Sequence, residues 1–150
     1  MGGDKMIALY DATLREGAQG ARSAFSVQDK LRVLHQLDAL GVAYIEGGNP
    51  GSNPKDEAFY RQAKSVALRH AKLAAFGATC RVGLSPDQDA NLKALLAADT
   101  PVVTIFGKSS RFQVQQILRC TLQENLQIIQ DSVAYLKAQG REVVFDAEHF

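Results

Sequence analysis

Short apolar runs return along this chain at intervals of roughly 30–40 residues, and a stretch with helical spacing separates each pair. The runs are Met6–Asp11, Val42–Gly47, Leu73–Thr79, Pro101–Gly107 and Glu142–Phe150, each read as a strand. Between the first two, Leu31, Leu34, Leu37 and Leu40 fall on adjoining turns of a helix. Ser26 with Asp29 three residues on approximates a capping box, and Gly41 suits the position just past the helix end. Asn53-Pro54 supplies a cap and a first-turn proline for a second helix carrying Ala58, Phe59, Ala63 and Val66. Ser85-Pro86 opens a third, with Leu92, Leu95 and Leu96. The fourth and longest shows Leu122, Leu126, Ile129, Val133 and Leu136 as one stripe and stops at Gly140. Strands alternating with helices predict βαβ units and a parallel sheet. An open doubly wound sheet fits, and so does part of a (β/α)8 barrel, which needs about 250 residues when complete. No GxGxxG or P-loop follows the first strand, so a nucleotide-binding fold gains no support. The last residues, VVFDAEHF, read as a strand in progress, as though the chain were cut.

Composition narrows the function classes. A length of 150 residues suits one domain, and a hydrophobic fraction of 46% with 22% charged residues is that of a globular protein. A formal net charge of +1 gives no electrostatic case for nucleic acid or an anionic membrane. No apolar run approaches the roughly 18–20 residues of a membrane span, and MGGDKMIALYD has no signal-peptide core. Cys80 and Cys120 form no CxxC pair and read as two reduced thiols. The expectation is a cytoplasmic protein.

The polar residues are not scattered. Arg15-Glu16 follow the first strand, and Glu46-Gly47-Gly48-Asn49 close the second. Thr79-Cys80-Arg81 close the third and Phe106-Gly107-Lys108-Ser109 the fourth, while Asp146, Glu148 and His149 lie near the end of the fifth. In parallel α/β folds these ends share one face, where ligands bind. Glu16 is a hard oxygen ligand suited to a divalent cation. Arg15 can present a planar fork to a carboxylate or a developing oxyanion. Glu46 and Glu148 can orient groups or move protons. Thr79 and Arg81 are candidate substrate contacts by the same placement. Arg15-Glu16 also reads as a solvated surface pair, and Lys108 as either an anion contact or a solvated side chain. His35 falls on the polar face of the first helix. His70 falls at the end of the second, where a cationic ring suits the helix dipole. Cys80 has no paired histidine. Tyr44, Phe59, Phe76 and Phe145 read as core.

The run 11-DATLREGAQG-20 resembles the D-x-T-L-R-[DE]-G-x-Q signature of the acyl-CoA Claisen synthases and lyases built on a TIM barrel. This group includes 2-isopropylmalate synthase, homocitrate synthase, citramalate synthase and hydroxymethylglutaryl-CoA lyase. The segments 25-FSVQDKL-31, 45-IEGGNPGSNPKD-56, 76-FGATCR-81, 105-IFGKSS-110 and 145-FDAEHF-150 look most like the citramalate synthase branch. The likeness covers nearly the whole chain. It implies the N-terminal half of a TIM-barrel catalytic domain over residues 1–150, with five strands and four helices. The rest of the barrel and any regulatory domain would be missing from it. It implies a Claisen-type acyltransferase that condenses acetyl-CoA with an α-keto acid, pyruvate giving (R)-citramalate, in branched-chain amino-acid biosynthesis. By the same likeness Arg15 stands at the catalytic arginine and Glu16 at the first metal ligand, for Mg, Mn or Zn. Asp11, Gln19, Glu46 and Glu148 match polar positions of the same pocket. The chain departs from the pattern in places, Asn49 standing where IEGG-x-PG often has an aromatic residue. Glu16 stands where this branch usually has Asp, as homocitrate synthases have Glu. The family's H-x-H metal motif does not occur in these 150 residues. The chain alone is therefore expected not to turn over substrate, and its open strand edges predict a homodimer or an edge-paired oligomer.

Overall fold

The computed structural model describes residues 7–17 and 25–149. Five strands form one sheet in sequential order, every neighbouring pair parallel. They are β1 (Tyr10–Asp11), β2 (Tyr44–Glu46), β3 (Lys72–Ala78), β4 (Val102–Lys108) and β5 (Glu142–Glu148). There is no switch point, so the doubly wound alternative falls away and a half-barrel remains. Curvature is visible in side-chain contacts. Tyr10 on β1 lies 2.6 Å from Thr104 on β4, and Tyr44 on β2 lies 2.6 Å from Glu142 on β5. Each pair is three strand spacings apart, about 14 Å in a flat sheet. Only a sheet rolled into an arc brings such side chains into hydrogen-bonding contact across its concave face.

The convex face carries the apolar core. Ile45, Leu73, Ala75, Val103 and Ile105 pack there against Leu34, Phe59, Leu92, Leu95 and Leu136. Helix α2 (Val27–Ala39) has the capping box read from Ser26 and Asp29, and Gly41 follows it at φ +81°. Helix α3 (Pro54–Ala63) is capped by Asn53, which accepts a hydrogen bond from the Asp56 amide. Ser85-Pro86 does not open the next helix. Those residues form turns, and α4 (Ala90–Ala97) begins at Asp89, whose buried carboxylate caps Leu92 and also accepts from the Arg81 amide. Leu92, Leu95 and Leu96 all fall within the seven residues after Asp89, which outcompetes the Ser-Pro pair because it lies nearer to them.

Helix α6 (Leu122–Ala138) is rotated from the expected stripe. Leu126 is exposed, while Asn125, Ser132 and Leu136 are buried. Buried polar residues take these places because strand ends need partners. Asn125 donates to the Lys108 carbonyl, and the Ser132 hydroxyl accepts from the Cys80 amide while donating to the Ile128 carbonyl. Two further helical pieces have no counterpart in the sequence reading. A single turn α1 (Thr13–Glu16) follows β1, and α5 (Arg111–Gln113) runs into a π-helical turn at Val114–Leu118. His70 lies beyond α3 in the loop leading to β3, and there its backbone amide donates to Asp38. Phe59 is core as read, but Phe145 is partly exposed and Tyr44 bonds to Glu142.

Candidate functional site

Tight local geometry sets the wall after β1. The Asp11 carboxylate accepts from the Thr13 amide at 2.9 Å and from the Thr13 hydroxyl at 3.0 Å, which starts the turn α1. That turn buries Leu14 and swings Arg15 over the concave face. There the guanidinium carbon sits 3.8 Å from the centroid of the Phe76 ring, and Phe76 stacks on Phe106 at 5.2 Å. Arg15 Nε donates to Glu46 Oε1, and a terminal nitrogen donates to Glu16 at 2.6 Å. The other oxygen of Glu46 accepts from the Tyr10 hydroxyl at 2.6 Å. Burial disfavours the charge on Arg15, but the hydrogen bond and charge of Glu46, with Glu16 beside it, hold its pKa above the ordinary value. Burial, reinforced by the bond to Glu46, pushes the Tyr10 phenol well above its ordinary value.

The segment after Glu46 is braced from beneath. Lys30 on α2 is 1% exposed, and its ammonium donates to Asp56 at 2.5 Å and to the Gly47 carbonyl at 2.9 Å. Asp56 also accepts from the Asn49 amide and the Asn53 side chain. Gly48 sits at φ +119°, where a Cβ would lie 2.6 Å from Asp56 Oδ2. The Tyr60 hydroxyl reaches the Gly48 carbonyl at 2.7 Å and the Ala74 carbonyl at 3.0 Å, tying the segment to β3.

Arg15, Glu16, Lys30, Asn49, Asp56, Phe76, Phe106 and Glu148 all line one cleft of about 520 Å³. Glu148 closes it from β5, its carboxylate paired with Lys108 directly across in register and its carbonyl accepting from Ser109. Lys108 is therefore neither a solvated side chain nor a free anion contact. The structure brings together Arg15, Glu16 and Glu148, with Glu46 immediately behind Arg15. Glu46 is 1% exposed with both oxygens engaged, so it orients Arg15 and does not face the cleft. Asp11 serves its own turn. Thr79 and Arg81 are not in the cleft: they line a separate cavity of about 200 Å³ between the sheet top and α6, with Asn125 and Ile128. The Arg81 backbone is held there by Asp89. Cys80 is buried with them, its thiol donating to local carbonyls and its pKa raised chiefly by burial, which suits an inert thiol. Gln19 lies outside the described residues.

Sequence reading missed Tyr10, Lys30, Asp56 and Phe76 as parts of the site. A signal for Lys30 was present: Lys30, Leu34 and Asp38 are spaced by four, one line of a helix, and all three are buried. The donor set for a metal is incomplete. Among the described residues no group of three or more His, Cys, Asp and Glu is arranged to hold an ion. Glu16, with 60% of its side chain exposed and one oxygen on Arg15, offers a single hard donor at the cleft. One carboxylate does not make a divalent-ion site.

A curved parallel sheet with its helices outside, and a charged cleft at the carboxyl ends of its strands, defines the (β/α)-barrel class of enzyme scaffold. The HMGL-like family model matches residues 6–150, and the chain belongs to that family. It is 53% identical over 145 residues to the (R)-citramalate synthase of Geobacter sulfurreducens, covering 97% of this chain and 28% of that protein. It is 31% identical over 148 residues to a 2-isopropylmalate synthase of Solidesulfovibrio magneticus, covering 99% of this chain and 28% of that one. The hydroxymethylglutaryl-CoA lyase of Pseudomonas aeruginosa superposes with a TM-score of 0.68 at 21% identity, over 94% of this chain and 45% of the lyase, a likeness of fold. The chain thus spans a little over a quarter of the length of the curated synthases it matches. Among the described residues no helix is long and apolar enough to cross a membrane.

Proposed function

We propose that residues 1–150 supply the first half of the catalytic barrel of a citramalate synthase-type acyltransferase. It joins the methyl carbon of acetyl-CoA to the carbonyl carbon of pyruvate and then hydrolyses the thioester, giving (R)-citramalate and free coenzyme A. The observation that carries this reading is the mounting of Arg15. Two of the five N–H donors of a guanidinium are engaged, by Glu46 and Glu16, and the plane is fixed against Phe76. Among the described residues the remaining donors have no hydrogen-bond partner, which suits them to meet the keto acid's oxygens. As the new carbon–carbon bond forms, the carbonyl oxygen becomes an alkoxide, and a prealigned guanidinium in a sheltered cleft stabilises that charge. Glu148, on the far wall, is a cleft carboxylate positioned to move a proton, with Lys108 holding it in place. Glu16 is the residue through which this chain would contribute to a divalent ion. The higher identity to citramalate synthases than to the 2-isopropylmalate synthase supports pyruvate over bulkier keto acids.

The test is turnover of the full-length protein with acetyl-CoA and pyruvate, 2-oxoisovalerate or 2-oxoglutarate, followed by free thiol release. Pyruvate should give the highest kcat/KM. A preference for either larger acid would overturn the substrate, and thiol release independent of any keto acid would overturn the condensation.

A further inference from the structure

The hydrogen bonds around Glu46 have a direction. Glu46 accepts at both oxygens, from Arg15 at one and from Tyr10 at the other. The Tyr10 hydroxyl has one proton, and the carboxylate takes it. The Thr104 hydroxyl, 2.6 Å away, must then be the donor to Tyr10. The result is a single chain from Thr104 through Tyr10 and Glu46 to Arg15, spanning β4, β1, β2 and the turn α1. Without Tyr10, one oxygen of a carboxylate that is 1% exposed loses its partner, and the group can rotate away from Arg15. Thr104 is itself 3% exposed, so its hydroxyl is shielded from bulk solvent. Tyr10 is not among the residues lining the cleft, and its link to Arg15 runs through Glu46.

From this geometry we infer that Tyr10, oriented by Thr104, is a positioning residue that aims the Arg15 guanidinium through Glu46. The inference rests on the reading of Arg15 given above only for its catalytic meaning, because the positioning itself is measurable without turnover. The chain is directional, so the two hydroxyls are not equivalent. Removing Tyr10's breaks the link to Glu46. Removing Thr104's only loosens Tyr10.

The experiment is nitrogen-15 NMR of the arginine side chains in the full chain, with the Arg15 Nε–H resonance assigned by its loss in Arg15→Lys. Tyr10→Phe keeps the ring and removes only the hydroxyl. It should shift that resonance and speed its solvent exchange on the order of tenfold, the scale of one hydrogen bond to a charged group. Thr104→Val should shift it in the same direction by less. The double variant should look like Tyr10→Phe alone, since Thr104 acts only through Tyr10. Thermal midpoints report ordinary packing losses separately. An unchanged Arg15 resonance in Tyr10→Phe, or strictly additive shifts in the double variant, would overturn the inference. Normal turnover in Arg15→Lys would instead overturn the catalytic reading and leave the positioning result standing.

Discussion

Arg15 is held by an aromatic face and two carboxylates, and each hold depends on the planarity of its fork. Lysine at this position keeps the charge but cannot bond Glu46 and an oxyanion in one plane. Arg15→Lys should therefore lower kcat by about 10²–10³-fold, roughly 3–4 kcal/mol of transition-state stabilisation, with a smaller change in KM. Single-turnover measurement of the condensation step checks this. At Lys30 the consequence is structural. Lys30→Met leaves the Asp56 carboxylate buried without its cation and should cost about 3–5 kcal/mol in a urea titration. Restoring neutrality with Asp56→Asn in the same chain should recover part of it. The sequence made Arg15, Glu16 and Glu148 legible because their motif and their strand-end position agree. Tyr10, Lys30 and Asp56 were hidden because each is read locally as something ordinary: a strand aromatic, a helix lysine, a first-turn acid. Their roles come from residues 26 to 94 positions away.

The connection between α2 and β3 turns on one buried carboxylate. Asp38 accepts from the amides of Arg69, His70 and Ala71, and these bonds lower its pKa from 3.8 to about 2. A folded-state pKa below the unfolded one contributes stability that is present above about pH 4 and is lost as pH falls toward 2. Asp38→Ala should destabilise the protein by about 2 kcal/mol at neutral pH, because buried amides lose their acceptor. The difference from the parent should shrink below pH 4, and denaturant titrations at pH 7, 4 and 2.5 would check both parts. The strands and the α2 and α3 caps were legible because periodicity and capping chemistry are local, whereas strand order followed only from the family likeness. The start of α4 and the rotation of α6 were not. There, Asp89, Asn125 and Ser132 are buried to satisfy strand-end amides and carbonyls on other elements, and a rule that sends polar residues outward points the helix the wrong way.

Among the described residues, β1 and β5 each have a neighbour on one side only. Strand β5 is seven residues long with a partly exposed Phe145, an edge open to pairing. The chain alone should associate with rising concentration, and Phe145→Lys should weaken that association; sedimentation velocity across a hundredfold concentration range would decide. The two contacts that cross the concave face also bear on how the molecule comes into being. Every strand pairs with the next one along, so the sheet can lengthen in the order the ribosome releases it, without a late segment threading between early ones. The crossing contacts are the exception, linking residues 94 and 98 positions apart. In pulse-labelled refolding, amides of β2 and β3 should gain protection before the Arg15 Nε–H does. A nascent chain paused after β3 would already hold paired strands, yet the mount that aims its arginine would stay loose until Thr104 is translated.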